Sequence, residues 1–224
     1  MKGNMVQKHE KCVTHVTFVT FKKYKMNGLL LFLSENWISL AGAVIGLIYL
    51  YLEYKASIWM WPASIAMAVF YIYIFYDTQL YASMCIYAYF LFASVYGWLS
   101  WHFKNRDADT GQDIITRMPQ KYLLHVVGSV LLVFIVIFML LKHFAWNSYF
   151  ITVGDAFTTS LNVVALWMAS RKWADMWLLV IPANFLSSAL LFVQHDVFSG
   201  ILFFIFAVVS IAGFYNWKIM SQSR

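Results

Sequence analysis

Charged residues are scarce in this chain of 224 residues. They make up 12% of the chain, whereas hydrophobic residues make up 62%. A soluble domain averages about 25% charged residues and is about half apolar, so the composition excludes an ordinary soluble domain and predicts a membrane protein. The net charge of +6 suits a membrane surface and does not indicate a nucleic-acid partner.

Cysteines and enzyme motifs are also sparse. The two cysteines, Cys12 and Cys85, lie in different regions and predict no disulfide framework. The chain has no GxxxxGK[ST] phosphate loop, no HExxH zinc motif and no GxSxG nucleophile motif. The scattered histidines show no metal-ligand spacing. We therefore expect no catalytic residue, no metal and no cofactor, and we predict that the protein is not an enzyme.

Aromatic residues, by contrast, are abundant at 20% of the chain. Part of this excess is typical of the aromatic belts at bilayer surfaces, and the remainder would suit a site for a flat aromatic ligand. The polar segment 1–27 carries six lysines. It lacks the short apolar core and the small-residue cleavage site of a signal peptide, so we expect an interfacial or disordered tail.

Seven apolar segments follow, each close to the length that crosses about 30 Å of hydrocarbon. Backbone groups in lipid must be hydrogen-bonded internally, so each segment is predicted to be a helix. The predicted spans are 34–52, 58–76, 81–101, 121–141, 153–170, 175–193 and 198–217.

One stretch of the chain occurs twice. Segment 55–101 recurs as 171–217 at a constant offset of 116 positions and without a gap. The identical pairs include Met60/Met176, Trp61/Trp177, Ile65/Ile181, Ser83/Ser199, Ser94/Ser210, Gly97/Gly213 and Trp101/Trp217. Duplicated helical units in an apolar chain are typical of transporters.

Each repeat holds three helices, and the fourth span has no counterpart. A three-helix unit ends on the opposite side of the membrane from its start, so one extra crossing lets the second unit enter in the same orientation. The predicted fold is an all-α membrane protein with seven transmembrane helices, arranged 3+1+3 with two parallel three-helix repeats. The regions are a basic N-terminal tail 1–33, a first bundle 34–101, a loop and linker helix 102–152, a second bundle 153–217 and a C-terminal tail 218–224.

The lysines and arginines give two opposing indications of orientation. Those of the loops favour a cytoplasmic C-terminus, whereas those of the N-terminal tail favour the reverse. We follow the loops, because their charges lie beside several separate spans.

Polar groups at membrane depth are costly, and each needs a reason. Three spans carry such groups on one helical face. The faces consist of Asp155, Thr159 and Asn162 in the fifth span, Trp177, Asn184 and Ser188 in the sixth, and Tyr87, Ser94, Trp98 and Trp101 in the third. If the faces point inward, they form a central pathway with a site near the bilayer midplane between the bundles.

Each of these residues also has a structural interpretation. Amides often hydrogen-bond between membrane helices, so for Asn162 and Asn184 packing and ligand binding both stay open. Asp155 lies near a predicted span end, where it would equally suit a helix N-cap. Trp61 and Trp177 lie where helices enter the interface, and anchoring there is the alternative to a role in the pathway.

Several of these segments together resemble the PnuC family of bacterial vitamin transporters. The resemblance is carried by Gln79-Leu-Tyr81-Ala, Tyr96-Gly97-Trp98-x-x-Trp101, Asp155-Ala-Phe-Thr-Thr159, Arg171-Lys172, and Trp177-Leu-Leu followed by Asn184. It extends over roughly 35–217. It implies a 3+1+3 fold similar to SWEET proteins, a homotrimer, and facilitated diffusion of a vitamin that a cytoplasmic kinase then traps.

The resemblance leads us to expect uptake of nicotinamide riboside, an NAD precursor, through the bacterial inner membrane by alternating access. Thiamin is the alternative substrate, and a membrane-embedded enzyme or a receptor are the rival classes. Both vitamins join a cationic aromatic ring to a hydroxyl-bearing part, and Trp and Tyr faces attract such cations. The expected substrate-binding residues are Trp177, Asn184, Tyr87, Asn162, Trp61, Asp155, Thr159 and Ser188.

The chain departs from the family pattern at two positions. Many members have Gln where this chain has Tyr87, and many have a second Trp where it has Val180. Both positions fall on faces assigned to the pathway, so the exact substrate stays open.

Overall fold

The computed structural model describes residues 37–77, 79, 81–103, 115–144 and 148–222. Its helices are α1 (Trp37–Tyr54), α2 (Met60–Asp77), α3 (Tyr81–Phe103), α4 (Leu123–Phe144), α5 (Tyr149–Ser170), α6 (Trp177–Val193) and α7 (Val197–Gln222). Short 3-10 turns, Gln120–Tyr122 and Ala174–Met176, precede α4 and α6. All seven predicted spans are therefore helical over their described residues, and the predicted tail 1–33 lies outside the described part of the chain.

Six helices, α2 to α7, are long and apolar enough to cross a bilayer, within the part of the chain that the structure describes. α1 contains a shorter apolar stretch there, Leu40–Tyr54. Large apolar side chains point outward, such as Phe92 at 73% exposure and Leu124 at 81%. Apolar side chains are favoured on a surface that faces lipid, because the lipid tails are apolar and the helix needs no polar face toward water.

The described chain falls into two units, divided after Val44. The first contributes only the beginning of α1. In the second, α2 packs against α3 and α6 packs against α7, while α5 contacts α3, α4 and α6. Half of α5 is buried, more than of any other described span, which makes it the central helix of this unit.

Irregular backbone in the second unit recurs at the spacing of the sequence repeat. Positive φ angles occur at Ala56 (49°) and Lys172 (59°), and again at Gln79 (59°) and His195 (62°). Residues other than glycine rarely adopt this conformation. Both pairs are 116 residues apart, so the turns after α1 and α5, and those before α3 and α7, share their backbone geometry.

Two tryptophan–glycine contacts have the same spacing. The ring of Trp61 lies against Gly97, and the ring of Trp177 lies against Gly213, where an added Cβ would come within 2.6 Å of a ring carbon. Each glycine is required because α2 and α3, or α6 and α7, approach closely at that point. Both rings are fully buried, which rules out the surface-anchor alternative for these two residues.

Two further tryptophans tie α3 to α5 and α7 to α1. The indole nitrogen of Trp101 donates to the carbonyl of Ala169 at 3.0 Å, and that of Trp217 donates to the carbonyl of Glu53 at 2.8 Å. The donors are 116 residues apart, and so are the acceptors. The two rings lie 6.1 Å apart between centroids. We call these two tryptophans with their carbonyl acceptors the tryptophan clasp.

The residues next to the clasp repeat its pattern. Ser100 donates to the carbonyl of Ser170 at 3.2 Å, and Asn216 donates to the carbonyl of Tyr54 at 2.8 Å. These carbonyls belong to the last residues of α5 and α1, which have no acceptor role within their own helices. α3 thus caps the end of α5, and α7 caps the end of α1.

Candidate functional site

A half-buried polar stripe runs along α5 and consists of Asp155, Thr159 and Asn162. The helix begins at Tyr149, and its N-cap is Ser148, whose hydroxyl accepts the N–H of Ile151. Asp155 therefore lies in the second turn, inside the helix, and its alternative assignment as an N-cap is wrong.

The stripe lies between two packed faces of α5. On one side, Ala156 and Val163 pack against residues of α3 and α4. On the other, Gly154 lies against the side chain of Leu190 in α6. Because an α-helix has about 3.6 residues per turn, Asp155, Thr159 and Asn162 fall between these faces. The stripe thus lies between the face that contacts α6 and the face that contacts α3 and α4.

The side chains of the stripe have no hydrogen-bond partner within the described residues. Other hydroxyl side chains of the same helix behave differently, because each donates to a backbone carbonyl about one turn earlier. These bonded side chains are Thr152, Thr158, Ser160 and Ser170. The stripe therefore offers a carboxylate, a hydroxyl and an amide whose hydrogen-bonding capacity is unused.

Asn184 of α6 begins a short chain of hydrogen bonds. It is 7% exposed, and its amide nitrogen donates to the hydroxyl of Ser210 in α7 at 3.1 Å. Ser210 donates in turn to the carbonyl of Phe206 at 2.7 Å. A hydroxyl has one proton, so Ser210 can only accept from Asn184, and the amide oxygen of Asn184 points away from it.

The equivalent serine in the first repeat has another partner. Ser94 donates to the carbonyl of Phe90 at 2.7 Å, as Ser210 does to Phe206, and its hydroxyl lies 2.7 Å from that of Ser64. The serine and its carbonyl acceptor are thus common to both repeats, whereas the group that donates to the serine differs.

Ser188 and Tyr87 lie in different surroundings. Ser188 is 3% exposed and donates to the carbonyl of Gly200 at 2.8 Å, which joins α6 to α7. Tyr87 belongs to an aromatic cluster with Tyr71 at 5.0 Å and Phe75 at 5.2 Å between ring centroids. No hydrogen bond joins any two of the eight predicted site residues in the described chain, so their convergence on one cavity stays a prediction.

Trp61 and Trp177 share an unusual feature. Their indole nitrogens are the two buried side-chain polar atoms that lack a hydrogen-bond partner within the described residues. An unpaired buried donor costs about 1–3 kcal/mol. Trp98 departs from the prediction, since it is 43% exposed and does not share the buried face of Ser94 and Trp101.

An ion pair near the start of α6 was not signalled by the sequence pattern. Arg117 donates from Nε to both carboxylate oxygens of Asp175 at 2.9 Å, and the backbone N–H of Met118 donates to the same carboxylate at 2.7 Å. These hydrogen bonds to Asp175 raise the pKa of Arg117. A backbone bridge from Thr116 to Trp173 holds the segment before α4 beside the turn that follows α5.

Lys172 is the other unpredicted charge. It is 1% exposed, and its ammonium nitrogen lies 4.9 Å from the ring centroid of Trp101. A buried cation over an indole ring gains free energy from the ring's quadrupole. Lys172 therefore contributes to the surroundings of the tryptophan clasp.

Comparison with known proteins gives a consistent result. Residues 36–219 match the model of the nicotinamide mononucleotide transporter family. The riboflavin/roseoflavin transporter RibM of Streptomyces davaonensis is 22% identical over 192 residues, which cover 83% of this chain and 86% of the relative. The crystal structure of the vitamin B3 transporter PnuC has a TM-score of 0.68 at 18% identity, covering 87% of this chain and 86% of the other, which shows a shared fold.

Proposed function

The chain belongs to the nicotinamide mononucleotide transporter family, the PnuC family, and from this premise we propose that it takes up nicotinamide riboside by facilitated diffusion. The observation that carries the proposal is the unpaired stripe of Asp155, Thr159 and Asn162 on the most buried helix. Polar side chains without partners inside a membrane protein are expensive unless a ligand or water uses them.

The chemistry of the stripe suits a cationic nucleoside. A carboxylate at Asp155 neutralises the positive ring, and the hydroxyl of Thr159 and the amide of Asn162 pair with ribose hydroxyls or a carboxamide. In the proposed site Tyr87 supplies an aromatic ring and Asn184 a polar group. Trp61, Trp177 and Ser188 are buried in helix contacts, and we propose that they support the wall of the site from behind.

We propose the 3+1+3 architecture, similar to SWEET proteins, as the frame of the transport cycle. The paired turns, the tryptophan–glycine contacts and the tryptophan clasp, all at one spacing, support two equivalent three-helix bundles. One bundle would rock against the other about a site near the midplane. The clasp joins the bundles where α1 and α5 end, and its opening would admit substrate from that side.

We propose a multi-pass protein of the bacterial inner membrane with a homotrimeric assembly, as the family resemblance implies. We also propose a cytoplasmic C-terminus, which the lysines and arginines of the loops favour. A cytoplasmic kinase would phosphorylate the incoming vitamin and so maintain the inward gradient that drives a passive carrier.

Riboflavin is a second candidate substrate, because RibM, a relative of the chain over most of its length, is named for it. Thiamin is the third. Charge separates these candidates, since nicotinamide riboside and thiamin carry a cationic ring whereas riboflavin is neutral. The role of Asp155 therefore depends on which vitamin binds.

Calorimetric binding to the detergent-purified protein tests the proposal. The unmodified protein should bind nicotinamide riboside, and Asp155→Asn, which removes the charge at constant shape, should weaken binding by about 10- to 100-fold, the effect of a charged hydrogen bond. Asp196→Asn is the matched control, because this exposed carboxylate only accepts the N–H of Ser199 at the start of α7.

Three results are informative. Weakened binding of nicotinamide riboside in Asp155→Asn, with the control unchanged, supports the proposal. Tight binding of riboflavin, unaffected by Asp155→Asn, would transfer the assignment to the neutral vitamin. Failure to bind any of the three vitamins would contradict a vitamin carrier.

A further inference from the structure

Two equivalent serines differ in what they position. Ser94 and Ser210 are both 0% exposed, and each donates its only proton to a carbonyl four residues earlier at 2.7 Å. Each then accepts one hydrogen bond, Ser94 from the hydroxyl of Ser64 and Ser210 from the amide of Asn184. Only the bond to Ser210 fixes a group with two chemically different ends, the NH₂ and the oxygen of the Asn184 amide.

The orientation of the Asn184 amide follows from this chain of bonds. Ser210 cannot donate to Asn184, because its proton is engaged by Phe206. The NH₂ end of the amide must therefore face Ser210, and the oxygen faces the opposite direction. A flipped amide would place two acceptors against each other and leave one bond unmade.

The amide oxygen of Asn184 has no donor within the described residues, yet it is not sealed in. Among the described residues, two side-chain polar atoms are both fully enclosed and unpaired, the indole nitrogens of Trp61 and Trp177. The Asn184 oxygen is not one of them. The oxygen is thus a held acceptor with some accessible surface, on a residue that is 7% exposed.

We propose that Ser210 is a positioning residue, which holds the Asn184 oxygen toward the substrate so that this point of the site selects a hydrogen-bond donor. The substrate group is a hydroxyl or an amide N–H. A site built around a held acceptor rejects an analogue that lacks the donor, because the acceptor is then left unpaired. The inference rests on the proposed function, since it takes Asn184 as part of the vitamin site.

The test measures discrimination rather than affinity alone. Binding of nicotinamide riboside is compared with binding of three analogues that each lack one donor group. The 2′-deoxy and 3′-deoxy forms each lack one hydroxyl, and nicotinic acid riboside lacks the amide NH₂. The unmodified protein should bind at least one analogue about 10-fold or more weakly. Ser210→Ala, which frees the amide to rotate, should reduce that ratio to about threefold or less, and Asn184→Ala should remove it.

Ser94→Ala is the matched control, since it removes an equally buried serine with the same carbonyl bond but no amide partner. It should keep the discrimination ratio of the unmodified protein. Ser210→Thr, which retains the hydroxyl, should also keep it. If Ser210→Ala does not fold, Ser210→Cys replaces it, because a thiol is nearly the same size and a much weaker hydrogen-bonding group.

The outcomes separate the positioning role from the proposed function. Nicotinamide riboside binding without discrimination, or an equal loss of discrimination in Ser94→Ala and Ser210→Ala, overturns the role of Ser210 and leaves the vitamin carrier intact. Full discrimination in Ser210→Ala overturns it as well. If the unmodified protein binds none of the vitamins, the proposed function fails, and the inference fails with it.

Discussion

Replacing Gly97 or Gly213 by alanine should destabilise the protein, because each glycine lies under a buried tryptophan ring. At Gly213 the new Cβ would come 2.6 Å from a ring carbon of Trp177, whereas carbon atoms pack at about 3.5–4.0 Å. The ring would have to move by about 1 Å. It is fully buried and lies edge-on to Trp217 at 6.0 Å between centroids, so it has no free space to enter.

The expected loss follows from two opposing effects. Overpacking a close-packed core costs about 1–3 kcal/mol, and alanine recovers up to about 1 kcal/mol because it favours helix more than glycine does. A net loss of about 1–2 kcal/mol should lower Tm by about 2–8 °C in a chain of this size. The change in Tm is measured by thermal unfolding of the purified protein, with tryptophan fluorescence as the signal.

Gly128→Ala in α4 is the control, because an added Cβ there meets nothing within 4 Å. It should leave Tm unchanged or raise it slightly through helix propensity. If Gly97→Ala and Gly213→Ala behave like Gly128→Ala, the rings are not held against these glycines, and the equivalent packing of α2 on α3 and of α6 on α7 would be refuted.

Three further predictions follow from the bundle contacts and the linker helix. Trp101→Phe and Trp217→Phe each remove one buried side-chain hydrogen bond, while the acceptor carbonyls keep the backbone N–H groups of Lys172 and Ala56, so both should lower stability by a similar amount, about 0.5–1.5 kcal/mol, in the same melting assay; a silent variant would remove its tryptophan from the clasp. Asp175→Asn should lower Tm more at about 0.1 M than at about 1 M salt, because ions screen the lost attraction; salt-independent loss would argue against the ion pair. Leu131→Ile and Leu132→Ile, at 58% and 65% exposed positions of α4, should leave vesicle uptake rates unchanged, and an altered apparent affinity would bring α4 into the site.

The helices were predictable because the bilayer imposes their length. A run of about 20 apolar residues can cross the membrane only as a helix, and the predicted spans differ from α1–α7 mainly at their ends. The start of α5 was missed by four residues, since the prediction began at 153 whereas the helix begins at Tyr149. Ser148 was the available signal, because serine is a favoured N-cap.

The contacts among the repeated residues could not be predicted from the repeat alone. Identity at Trp61/Trp177 and Gly97/Gly213 indicates equivalent roles, but only the fold shows that Trp61 packs on Gly97 and Trp177 on Gly213. The ion pair between Arg117 and Asp175 joins residues far apart in the chain, and no local spacing marks it. The positive-φ positions at Lys172 and Ala56 are likewise not marked by glycine in the sequence.

The sequence predicted one part of the candidate site and missed another. Helical spacing identified the α5 stripe, and among the residues that the structure describes its three side chains have no hydrogen-bond partner. Spacing could not reveal that Asn184 is oriented by Ser210, because that bond joins α6 to α7.

The most direct test of a passive vitamin carrier is uptake into sealed liposomes that contain the purified protein. Labelled nicotinamide riboside should enter until the inside and outside concentrations are equal, with the same end point whether or not a proton or sodium gradient is imposed, and mass analysis should recover it chemically unchanged. Protein-free liposomes provide the background. Accumulation above the outside concentration, a chemically altered product, or binding without any entry would contradict facilitated diffusion.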